Sequence, residues 1–271
     1  MTSLKIGACL MVDQIAAHRD WLFADARDVE IQDFYRLGLM DNGWREVADA
    51  ARGELAGHQG RIGIHGPFYG LDINNPDTEL QPLISNKYLR GVEACEILGA
   101  CQMVIHSPFN HWYHNHVLSE PGYREREFGT IHAILDPVVA RASDAGVTLV
   151  IENIEDVDPF ERARLMESFG SKAVAVSIDT GHAHLARNMS GAPPVDQFVR
   201  AAGPALQHVH LQDLDGHADQ HWAMGDGNIE WYGVFAALSE IEAETHLVLE
   251  LRDHTNIPRA FEWLRARGLA V

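Results

Sequence analysis

Short apolar runs alternate with longer amphipathic stretches from one end of this chain to the other, and that alternation limits the fold more than any other feature. The runs are Lys5–Leu10, Asp28–Asp33, Arg61–His65, Gln102–His106, Val147–Glu152, Ala173–Asp179, Leu206–Gln212 and His246–Leu251. They read as strands apolar on both faces, as in Val147-Thr148-Leu149-Val150-Ile151, which suits parallel strands covered on each side. Between them, Thr78–Gly99, Glu127–Ala145 and Trp231–Glu242 place apolar residues near a 3.6-residue period. Gly99, Gly146, Gly170 and Gly203 stand where such helices should stop. Eight β/α units in 271 residues match the size of a (β/α)8 TIM barrel, read here as one domain over residues 1–271. A doubly wound open sheet competes, but Met11-Val12-Asp13-Gln14 after the first run holds no glycine for a phosphate loop.

Composition bounds the function classes. With 21 Lys+Arg against 39 Asp+Glu the formal charge is -18, which opposes binding to a polyanionic duplex. Cys9, Cys95 and Cys101 form no CxxC pair and read as free thiols of a reducing compartment. The apolar run from Ile6 to Val12 is too short for a signal peptide, and nothing approaches the roughly 20 apolar residues of a membrane span. A cytoplasmic protein without a membrane partner is the expectation.

The 16 histidines matter for where they fall. In a TIM barrel, chemistry gathers at the C-terminal ends of the strands. Six of the expected strands end in a residue able to hold a metal: His65, His106, Glu152, Asp179, His210 and Glu250. Singly, each reads equally well as an ordinary hydrogen-bonded strand-end side chain. Converged on one mouth without a cation, the carboxylates would each cost several kcal/mol, and a mixed His/carboxylate set suits Zn, Mn or Fe. His182, three residues after Asp179, and the Asp219-Gln220-His221 stretch after the seventh strand add further donors. His208 reads as a packed barrel residue. His18, His58, His132, His246 and His254 read as structural or solvated, and His184 and His217 as neighbours of the ligands.

The stretches IHGPF (64–68), VIHSPF (104–109), VIEN (150–153), SIDTGHAHL (177–185), HLQD (210–213), DQHWAMGDGNIEW (219–231) and LVLEL (247–251) resemble the xylose-isomerase-like TIM barrels. That superfamily joins sugar isomerases and epimerases with endonuclease IV (AP endonuclease family 2). The resemblance implies a trinuclear site: His65, His106 and Glu152 for one ion; Glu152, Asp179, His210 and Glu250 for a second; His182, Asp219 and His221 for a third. It implies up to three Zn ions, with Mn, Fe or Co as alternatives. The short stretch between His210 and Asp219 and the absence of a basic stripe depart from a DNA-repair enzyme. Glu152-Asn153-Ile154-Glu155-Asp156-Val157-Asp158 also lacks the Asn-Arg of ketose epimerases.

Completeness of the nine-residue set favours hydrolysis of a small phosphodiester or phosphate ester, in which clustered cations activate water and clamp phosphate oxygens. The alternative is a sugar or sugar phosphate isomerase or epimerase in which Glu152 and Glu250 move a proton; a lyase or dehydratase is its variant. Arg252, Phe68, Tyr69, Trp112, His111 and Trp222 are the expected substrate contacts, with residues 110–116 as a lid loop. The expected partner is a small-molecule substrate, with a homo-oligomer open.

Overall fold

The computed structural model describes residues 4–241 and 244–271. Among these, the strands are β1 (Ile6–Leu10), β2 (Val29–Ile31), β3 (Ile62–His65), β4 (Gln102–His106), β5 (Thr148–Glu152), β6 (Val174–Asp179), β7 (Leu206–Leu211) and β8 (His246–Leu249). They lie in sequence order and all pair in parallel, and β1 pairs with β8 to close the barrel. The fold is a single-domain (β/α)8 TIM barrel. Its helices are α1 (Ile15–Ala24), α2 (Trp44–Glu54), α3 (Gln81–Leu98), α4 (His111–Ser119), α5 (Tyr123–Ala145), α6 (Glu161–Phe169), α7 (Thr180–Ser190), α8 (Val195–Ala202), α9 (Trp231–Ser239) and α10 (Ile257–Arg265). None of them is long and apolar enough to cross a membrane.

Gly99, Gly146 and Gly170 end α3, α5 and α6 in the left-handed conformation, where a residue without Cβ avoids the steric penalty. The expected helix Trp231–Glu242 stops at Ser239, and Glu242 lies outside the described residues. Two other expectations are corrected. Residues 111–119 are not a loop: Asn110 Oδ1 accepts from Tyr113 N at 3.0 Å and starts α4, as a good N-cap does. The strands are also not apolar on both faces. Outward residues such as Leu149, Ile151, Val176, Val209 and Leu247 merge with the helices into one large core. Inside the barrel, Val104, Val150 and Ala175 form a small apolar cluster of their own. Cys9, Glu30, Ser177, His208 and His246 are also buried. Strand alternation puts residues two apart on one face, so this polar interior lies directly beneath the strand-end ligands.

Candidate metal centre

Each strand-end candidate ligand faces inward because it sits two residues beyond an inward residue of its strand. The donor atoms of His65, His106 and Glu152 all lie within 4.8 Å of one another. His65 Nδ1 is 2.9 Å from Gly66 O. A carbonyl only accepts, so Nδ1 carries the proton and Nε2 keeps a lone pair. His65 Nε2 lies 3.3 Å from His106 Nε2, and the two stand 3.8 and 3.6 Å from Glu152 Oε2. Burial, against the opposing pull of Glu152, pushes His106 down to about 3, so it stays neutral and able to ligate.

Glu152, Asp179, His210 and Glu250 form a second group within the same limit. His210 Nδ1 approaches Glu152 Oε1 at 2.8 Å and Glu250 Oε2 at 3.4 Å. Burial disfavours the His210 imidazolium, but Glu250, Glu30 and Glu152 outweigh it and hold its pKa well above the ordinary range. Asp179 is pushed up to about 6 by burial, with His182 opposing and Glu152 and Glu250 adding repulsion. Gln32 Nε2 donates to Glu250 Oε1 at 2.5 Å.

His182, Asp219 and His221 form the third group. His182 Nδ1 is 3.0 Å from Asn153 O and His221 Nδ1 is 3.2 Å from Glu250 O, so both rings turn Nε2 toward Asp219, at 3.5 and 3.0 Å. His221 holds φ 50°, a left-handed conformation uncommon for a residue with Cβ. Burial lowers its pKa, but Glu250, Asp219 and Asp179 prevail and raise it to about 9.

The donor sets suit divalent cations. Glu152 Oε2 is buried without a hydrogen-bond partner, and such an atom costs about 1–3 kcal/mol or more if nothing meets it. It faces two imidazole nitrogens at distances too long for hydrogen bonds, with room for a cation between them. Three of the histidines have their second nitrogen tied to a carbonyl, the usual way a ligating imidazole is oriented.

A cavity of about 660 Å³ opens over these groups. Phe68, Tyr69 and Arg252 line it, as does Tyr35, which sequence reasoning did not single out. Arg252 Nη2 donates to Asp219 O at 2.8 Å and Nε to Gln220 O at 3.2 Å, so much of its fork holds the loop bearing Asp219. Trp112 and His111 lie on α4 away from the lining, Trp112 70% exposed. Trp222 pairs through its backbone with Asp213 and also stays outside the lining. His184 bonds Asn228 away from the ligands, at 2.7 Å. His254, expected to be structural or solvated, borders the cavity.

Glu30, Gln32 and Gln212 were also missed. Gln32 and Gln212 each follow an inward residue by two, a signal that strand alternation offered. Glu30 offered the same signal, since polar and apolar residues alternate through Asp28-Val29-Glu30-Ile31-Gln32.

Uncharacterized protein MJ1311 of Methanocaldococcus jannaschii is 24% identical over 213 residues, 75% of this chain and 69% of its own length. Uncharacterized protein Rv0498 of Mycobacterium tuberculosis is 28% identical over 211 residues, 70% of this chain and 68% of its own. Among solved structures, the TTHB071 protein from Thermus thermophilus, soaked with ZnCl2, superposes with TM-score 0.72 at 24% identity over 97% of both chains. A D-tagatose 3-epimerase-like protein gives 0.76 at 21% identity over 97% of this chain and 96% of its own. The 3-keto-D-glucoside 4-epimerase YcjR of E. coli gives 0.71 at 16% over 97% and 99%. At such identities these structural likenesses concern the fold. The family model for the xylose isomerase-like TIM barrel matches residues 25–267, and the chain belongs to that family.

Proposed function

We propose that the chain is a divalent-metal-dependent isomerase or epimerase acting on a ketose or a similar polyhydroxylated ketone. The observation that carries this reading is the placement of Glu152 and Glu250. Both line one cavity, and both approach the same atom, His210 Nδ1, at 2.8 and 3.4 Å. A divalent ion held by Glu152, Asp179, His210 and Glu250 would polarise the substrate's carbonyl and neighbouring hydroxyl, and so acidify the C–H of the hydroxyl-bearing carbon. Glu152, with its unpartnered Oε2, accepts that proton. Glu250, steadied by Gln32 through its other oxygen, returns one to the opposite face, and the configuration inverts. Re-equilibration of the two carboxyls with water restores the proton count.

Tyr35, Phe68 and Tyr69 form an aromatic wall, with neighbouring ring centroids 4.3 to 6.3 Å apart, against which the apolar face of a sugar stacks. The likeness in fold to proteins named as a D-tagatose 3-epimerase-like protein and a 3-keto-D-glucoside 4-epimerase supports the same substrate class. The ZnCl2-soaked relative in fold supports zinc.

A second reading, hydrolysis of a small phosphodiester or phosphate ester, is favoured by one observation. His182, Asp219 and His221 are assembled as a third donor group, which proton transfer between two glutamates does not require. One experiment separates the two. Metal-loaded protein is incubated with a ketose panel in D2O, and in parallel with bis(p-nitrophenyl) phosphate. The isomerase places deuterium beside the carbonyl, and Glu152→Gln or Glu250→Gln slows this at least about 100-fold. Phosphodiester cleavage without exchange, abolished by His221→Ala, would establish the hydrolase instead.

A further inference from the structure

The histidines of the mouth are not held alike. His65, His182 and His221 each turn Nδ1 to a backbone carbonyl, at 2.9, 3.0 and 3.2 Å, and so offer Nε2 to a cation. His210 is reversed: its Nδ1 faces Glu152 and Glu250, and its Nε2 lies 3.0 Å from Glu30 Oε1. Its partner is a carboxylate borne by β2, 180 residues away in the chain.

Glu30 is 2% exposed. A buried carboxylate is expensive to keep unless it is paired and hydrogen-bonded. Elsewhere in the same barrel Val104, Val150 and Ala175 fill the interior without such cost. Glu30 is also braced. His208 Nε2 lies 3.0 Å from its Oε2, though not aligned as a hydrogen bond. His208 Nδ1 is in turn 2.8 Å from Ser177 Oγ, and Cys9 Sγ donates to Glu30 Oε1 at 3.6 Å. An acceptor held this firmly dictates which ring nitrogen opposite carries a proton. Being anionic, it also raises the donor strength of the other nitrogen.

We infer that Glu30 is a positioning residue for His210, fixing the ring as the Nε2–H tautomer so that Nδ1, rather than Nε2, meets the cation of the second group. The inference rests on the metal reading of the mouth. It predicts that His210 coordinates through the nitrogen opposite to the one used by His65, His182 and His221.

The test combines 15N NMR of the histidine rings in the Zn-loaded protein with Zn affinity measured by competition against a chelating dye. His210 should show a proton on Nε2 and a metal-shifted Nδ1. Glu30→Leu should weaken binding of one ion about 10- to 100-fold and free the ring to change tautomer. Glu30→Gln keeps an accepting oxygen, so it should retain the tautomer and lose less affinity; it also carries the test if the leucine variant does not fold. Val209→Ala, which thins the outer core of the same strand, should lower stability and leave Zn affinity unchanged, a separation that general loosening of β7 would not give. A loaded His210 with its proton on Nδ1, or Glu30 variants that bind Zn as tightly as the unaltered chain, would overturn the inference alone. An unaltered chain that takes up no ion would overturn the metal reading and this inference with it.

Discussion

Gln212 is fully buried, and its single amide serves three members of the mouth. Its Nε2 lies 3.2 Å from Asp179 Oδ1 and 3.1 Å from Asp219 Oδ1, while its Oε1 accepts from His221 N at 3.1 Å. The space for that amide exists because residue 181 is glycine: a Cβ there would stand 2.4 to 2.6 Å from the amide atoms. Gly181→Ala should therefore displace Gln212 and slacken the third donor group. Elemental analysis should find one ion fewer per chain, and denaturant unfolding a loss of about 1–3 kcal/mol, the usual cost of overpacking. An unchanged metal content would show that Gln212 does not hold that group. At this scale the sequence pointed to the candidate donor residues but not to their supports. The candidate ligands are His, Asp and Glu at strand ends and just beyond them, whereas Gln212, after β7, and Gly181, on α7, acquire their roles only by touching each other.

Among the elements, the loops after β4 and β5 meet at Asp156, which also forms a buried ion pair with α6. Arg162, on α6, donates from Nε to Asp156 Oδ1 at 2.9 Å, and neither side chain is exposed. Asp156 also accepts from Ser107 Oγ at 3.0 Å and from Ile154 N at 3.1 Å, so the segments leaving His106 and Glu152 share an anchor. Removing one partner leaves the other buried and uncompensated. Arg162→Ala should lower stability by about 3–5 kcal/mol, read as a lower urea midpoint; a loss below about 1 kcal/mol would mean that water replaces the guanidinium. Tyr113 does similar work for α4, its hydroxyl donating to Glu161 Oε2 on α6 at 2.9 Å, and Tyr113→Phe should cost about 1.5–3 kcal/mol, as loss of a hydrogen bond to a charged group does. Periodicity located the strand ends to within two residues, but it misread 110–116 as a loop. The cap at Asn110 was there to be seen, yet α4 is too short and too polar for its period to stand out.

For the molecule as a whole, stability is coupled to ions and to protons. Cations that bind only the folded chain stabilise it by about 4 kcal/mol when free ion is 1,000 times Kd. Stripping the metal with a chelator should therefore lower Tm by on the order of 10 °C, and an unchanged Tm would count against the site. His246 supplies the pH dependence at the other end of the barrel. Burial, opposed by Asp28 and reinforced by Arg61 and His208, brings its pKa down to about 3. The unfolded chain takes up this proton below about 6.5, the folded chain only near 3. Stability is then lost as the pH falls through that window, by about 2 kcal/mol between pH 7 and 5. Metal-free His246→Gln should lose correspondingly less over that range; a parallel loss would assign the acid sensitivity elsewhere.

The order and number of the β/α units, and the residues that cap the strands, could be read from the sequence because both follow from local periods of two and 3.6 residues. Closing the barrel gathered those strand ends, with His182 on α7 and Asp219 and His221 in the loop after β7, around a common mouth. Only the tertiary structure decided what lies beneath them. Glu30 meets His210 because β2 and β7 present their inward faces to the same interior across 180 residues of chain, a distance over which no local pattern carries information. The side chains nearest the ligands are therefore set by how the barrel closes.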